Sequence, residues 1–142
     1  MKNKLTETYW QKLQTTPYIL KLLFWFGWTL LLCFLLLSPS NGTVHDISSL
    51  FGGTEMTDAI GHIILIGVEC MLTYLVMLRY LPHVLAQKLA FICTLAFGIF
   101  LELAQLLIPS RGTSLIDIIA AFVGVGCVYI TITRISTHPK SA

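Results

Sequence analysis

Four long apolar stretches, at residues 19–37, 60–78, 89–107 and 115–133, constrain this chain more than any other feature. Each approaches the roughly 20 residues that a helix needs to cross a bilayer core. Lipid offers no hydrogen-bond partner to a bare backbone, so a spanning segment must be a helix or part of a closed barrel. No strand-like alternation is present, which leaves helices. Composition agrees: 56% of the 142 residues are hydrophobic, 11% are charged and the mean hydropathy is +0.80. A soluble domain carries about 25% charged residues. An ordinary soluble domain, a disordered regulator and a nucleic-acid binder with a basic surface are all excluded. The expected fold class is an all-α membrane protein with four transmembrane helices.

The connections and the basic residues then set the topology. Residues 38–59 form one long polar loop, whereas 79–88 and 108–114 are short and carry Pro82 and Pro109. Lys2, Lys4, Lys12 and Lys21 precede the first span, Arg79 and Lys88 lie in the second connection, and Arg134 and Lys140 follow the fourth span. By the positive-inside rule these eight share the cytoplasmic side. Both termini are therefore expected in the cytoplasm, with only Arg111 on the outer side. No A-x-A-like site follows Leu37, so the first span is read as retained rather than cleaved. Leu5, Tyr9 and Leu13 would give residues 1–18 one apolar face for an interfacial helix. A disordered tail anchored by Trp10 and Tyr18 fits equally well. The expected organisation is an interfacial segment at 1–18, a four-helix membrane domain at 19–134 and a cytoplasmic tail at 135–142.

Scarce charge makes each ionisable residue inside a span informative, because such groups face the bundle interior and often mark function. Asp58, His62 and Glu69 fall on one helical stripe, expected to turn toward the third and fourth spans. Glu102 lies seven residues before Pro109, about 10 Å below the outer end of its helix. Gln105 shares its face. Arg111 stands in the following hairpin, and Asp117 opens the fourth span. Asp58, His62, Glu102, Gln105, Arg111 and Asp117 thus form the candidate polar cluster, without a catalytic assignment. Each also has a structural reading. Ser114-x-x-Asp117 has the capping-box arrangement, Asp58 could serve its own helix start, and His62 could pair with Asp58. Glu102 could pair with Arg111 or His62, and Glu69 could be a hydrogen-bonded helix contact. Gly98, Ala120, Ala121 and Gly124 are small residues suited to close helix packing, with Ala120-x-x-x-Gly124 in small-xxx-small spacing. Cys33, Cys70, Cys93 and Cys127 fall one per span, with no spacing for a disulfide or a metal. No metal and no cofactor are expected.

The order Asp58-x-x-x-His62, Glu102-x-x-Gln105, Pro109, Arg111, Asp117, Ala120 and Gly124 resembles the VanZ-like family of small bacterial membrane proteins. The likeness covers about residues 55–126. This chain has Ala59 and Ala121 where the family commonly has a lysine and an asparagine. The resemblance implies a multi-pass protein of the bacterial plasma membrane, and a role similar to that of members associated with low-level teicoplanin resistance.

Three classes of function fit the residues. The first is a non-catalytic envelope protein whose outward cluster binds a lipid head group, a glycopeptide or a partner. The second is a structural or accessory subunit of a larger membrane complex. The third is a membrane-embedded hydrolase or transferase acting on a lipid-linked substrate, with His62, Glu102 and Asp117 as acid–base groups and Arg111 on a phosphate. No serine or cysteine stands near a base, so this third class requires direct water attack or a metal. Expected partners are membrane lipids, a lipid-linked or glycopeptide ligand, or other membrane subunits, and no nucleic acid.

Overall fold

The computed structural model describes residues 17–38, 55–108 and 113–136. They form four helices: α1 (Tyr18–Leu37), α2 (Glu55–Met77), α3 (His83–Gln105) and α4 (Leu115–Ser136). No strand occurs among the described residues. At about 1.5 Å per residue, helices of 20 to 23 residues reach 30 Å or more, the thickness of a hydrocarbon core. All four are long and apolar enough to cross a membrane. The segment at 1–16, Pro109, Arg111 and the tail beyond Ser136 lie outside the described residues.

Two helix starts extend well beyond their apolar stretches. The second helix begins at Glu55 rather than at residue 60, and the third at His83 rather than at 89. Hydropathy ends where side chains turn polar, but a helix ends where its backbone is stopped. Pro82 supplies that stop. It has no N–H to donate and keeps the preceding residue away from helical geometry. A tight turn over Leu78–Leu81 closes onto the end of α2, with the N–H groups of Tyr80 and Leu81 both donating to the Met77 carbonyl at 3.0 Å. The Pro82 carbonyl then accepts the first bond of α3, from Ala86 N–H at 2.9 Å.

The helix α2 is the spine of the bundle, packed against each of the other three, most extensively against α4. It runs antiparallel to α3, so that His62 meets Glu102 near one end and Tyr74 stacks edge-on with His83 near the other. The same antiparallel register joins α3 to α4. Gln87 donates to the Tyr129 carbonyl at 2.9 Å and to the Thr133 hydroxyl at 2.6 Å, and His83 pairs with Ser136. Phe91 packs edge-on against Tyr129. One end of the bundle, here the loop end, therefore carries the close of α3 and the starts of α2 and α4. The opposite, turn end carries residues 78–82.

Small residues set how close α2 and α4 come. A Cβ on Gly124 would stand 2.4 Å from the Ile63 carbonyl oxygen, a distance that real side chains do not tolerate. Only glycine allows this crossing. Ala120 and Ala121 are buried beside it, and a Cβ on Gly98 of α3 would meet Ala121 and Ile66 at ordinary van der Waals distance. Ile66, Leu101, Ala121 and Val125 lie at the centre of the apolar core. Large apolar side chains such as Phe24, Phe34 and Phe100 point outward instead, as a lipid-facing surface requires. All four cysteines are free thiols.

Candidate functional site

Three helices deliver one polar side chain each to a common point near the loop end. His62 comes from the second turn of α2, Glu102 from the last turn of α3 and Asp117 from the first turn of α4. His62 is 6% exposed and Glu102 only 1%. His62 Nε2 stands 3.2 Å from Glu102 Oε1, and His62 Nδ1 stands 3.6 Å from Asp117 Oδ1. One ligand-type atom from each of the three lies within 4.8 Å of the other two. Antiparallel pairing of α2 with α3, and the tight α2–α4 crossing at Gly124, are what bring these distant positions together.

The surroundings fix the orientation of the two most buried groups. His62 Nδ1 lies 3.0 Å from the main-chain carbonyl of Asp58, one helical turn earlier. A carbonyl can only accept, so the Nδ1–H donates and Nε2 is the ring atom turned toward Glu102. Glu102 Oε2 accepts the main-chain N–H of Ser114 at 3.2 Å. That places a carboxylate at the amino end of α4, where unpaired N–H groups and the helix dipole favour negative charge. The Ser114 amide that a capping box would engage with Asp117 is thus tied to Glu102 on the neighbouring helix.

After these bonds, three of the four buried side-chain atoms without a hydrogen-bond partner among the described residues lie here, His62 Nε2, Glu102 Oε1 and Gln105 Nε2, the fourth being Thr94 Oγ1. The first two stand 3.2 Å apart and form an ion pair whenever His62 is protonated. Buried polar atoms are normally satisfied, and each orphan costs about 1–3 kcal/mol. Three orphans at one end of a small bundle mark a place shaped for something further.

No family model matches this chain, and neither does any curated protein or solved structure. The site is therefore read from its own geometry.

The expected residues divide as follows. His62, Glu102 and Asp117 converge, and Gln105 is buried beside Glu102 on the last turn of α3. Asp58 is exposed and contributes through its carbonyl, not its carboxylate. Arg111 lies outside the described residues. Because α3 stops at Gln105 rather than near 107, Glu102 sits about one turn from its helix end, shallower than the expected 10 Å. It is buried by neighbouring helices, not by depth.

Glu69 separates from the stripe it shares with His62. It faces α1, where the Thr29 hydroxyl stands 3.1 and 3.2 Å from its two oxygens and the Thr73 hydroxyl donates at 3.4 Å. Trp25 in turn donates to Thr73 at 3.0 Å, and Trp28 donates to the Leu65 carbonyl at 3.1 Å. Residues seven apart on a helix share a face but differ by about 10 Å in height, and the neighbour across that face changes from α3 and α4 to α1. Sequence reasoning missed Trp25 and Thr29. Their four-residue spacing, with two hydrogen-bonding side chains on one stripe of an otherwise apolar span, was the available signal.

Proposed function

We propose that this chain is a non-catalytic, multi-pass protein of the bacterial plasma membrane that binds the polar head group of a membrane ligand at the loop end of its bundle. The carrying observation is the group of three buried, unpartnered polar atoms on His62, Glu102 and Gln105. The distribution of basic residues supports cytoplasmic termini and an outer loop end, within reach of envelope lipids and of a glycopeptide bearing an acyl chain. The resemblance to VanZ-like proteins supports the same setting and a role in the response to teicoplanin.

The test is ligand-dependent stability. Purified protein in detergent is heated with phosphatidylglycerol, phosphatidylethanolamine, phosphatidylcholine or teicoplanin. A ligand at 100 times its Kd adds about 2.7 kcal/mol, so one of these should raise the midpoint well above the others. The rise should disappear in Glu102→Gln and His62→Asn. Equal shifts with every addition, or shifts unchanged in both variants, would remove the head-group reading.

A further inference from the structure

The geometry points to a divalent transition-metal site formed by His62 Nε2, Glu102 Oε1 and a carboxylate oxygen of Asp117. This goes beyond the head-group reading while using the same His62 and Glu102 atoms, and the ion would be held by the protein with no lipid present.

Local spacing offered no metal motif, because the three ligands come from three helices and stand 40 and 15 residues apart along the chain. Tertiary packing brings one donor atom from each to within 4.8 Å of the others, with Asp117 Oδ1 approaching the ring from the Nδ1 side at 3.6 Å. Around an ion with bonds of 2.0–2.2 Å, tetrahedral ligands stand roughly 3.4 Å apart. His62 Nε2 and Glu102 Oε1 stand 3.2 Å apart.

A second, independent observation comes from the state of those two atoms. With the Nδ1 proton committed to the Asp58 carbonyl, neutral His62 presents a bare lone pair at Nε2. Glu102 presents a second lone pair at Oε1, its other oxygen being held by Ser114. Neither atom has a further hydrogen-bond partner, and the two stand 3.2 Å apart. Both residues are more than nine-tenths buried. A cation placed between these two atoms would be coordinated by both.

The outer contacts have the form that metal sites use. A ligating histidine commonly donates its other ring N–H to a backbone carbonyl, which fixes tautomer and orientation, and ligating carboxylates are themselves hydrogen-bonded. Asp58 and Ser114 provide those two contacts. One imidazole with two carboxylates suits a borderline ion such as Zn²⁺ rather than Ca²⁺ or Mg²⁺, which favour oxygen-only shells. Three protein ligands leave at least one position open.

The full-length protein, purified in detergent and freed of metal with a chelator, is titrated with Zn²⁺, Mn²⁺, Mg²⁺ and the spectroscopic probe Co²⁺. One Zn²⁺ per chain is expected by elemental analysis, with ligand-field absorption from bound Co²⁺ and at least tenfold weaker binding of Mg²⁺. Glu102→Gln, Asp117→Asn and His62→Asn should each weaken Zn²⁺ binding at least tenfold while eluting as the same monodisperse species. Unchanged Zn²⁺ binding in His62→Asn would overturn the proposal, because the ion would then sit elsewhere. Should the variants fail to fold, the wild-type chain decides: no Co²⁺ absorption and a melting midpoint indifferent to Zn²⁺ would leave a bare ion pair and sink the site.

Discussion

At the scale of single residues, burial and hydrogen bonding sort two carboxylates that sequence position alone would pair as similar intramembrane acids. Glu102 keeps one oxygen unpartnered, whereas Glu69 is surrounded by hydroxyl groups from Thr29 and Thr73. Glu69 is thus a helix-to-helix fastener. Glu69→Leu is expected to lower stability by about 1–3 kcal/mol, the cost of leaving the buried Thr73 hydroxyl without its acceptor, while Thr29 keeps the Trp25 carbonyl at 2.8 Å. Glu69→Gln retains a carbonyl acceptor and should cost less than half as much. Chemical unfolding in mixed micelles compares the two. Equal losses would mean that charge, not hydrogen bonding, is what matters at this position. That Glu69 is buried was legible from its place in an apolar span. Which helix it bonds was not, because periodicity gives a face and not the neighbour across it.

At the scale of elements, the glycines of α4 show how a helix chooses its contacts. Gly124 admits the backbone of α2, while a Cβ on Gly126 would meet nothing within 4 Å. Gly124→Ala should therefore cost about 1–3 kcal/mol through overpacking. Gly126→Ala should be neutral or stabilising by up to about 1 kcal/mol, since glycine is the weaker helix former. Melting temperatures of the two variants should move in opposite directions. A similar loss in both would show that the crossing is not set by Gly124. The four helices themselves were readable from apolar length, and their starts were less so. Pro82 begins α3 ahead of its apolar stretch because polar side chains near a bundle end remain compatible with helix.

At the scale of the whole molecule, the alternating path of four spans puts residue 113 and residue 80 at opposite ends of the bundle. The proposed orientation expects a cysteine at Thr113 to react with a membrane-impermeant maleimide in intact cells, and one at Tyr80 to react only after lysis. The reverse pattern would invert the topology. By itself the sequence determined the fold class, because a chain this apolar and this poor in charge has helices as its only spanning structure. It also determined that His62, Glu102 and Asp117 belong in the bundle rather than in lipid. Only the tertiary structure decided which of those groups meet. The antiparallel register of α2 and α3, and the close α2–α4 crossing that Gly124 permits, depend on side-chain packing between segments far apart in the chain. A one-dimensional pattern records the faces of each helix, and the contact between faces is fixed only when all of them pack at once.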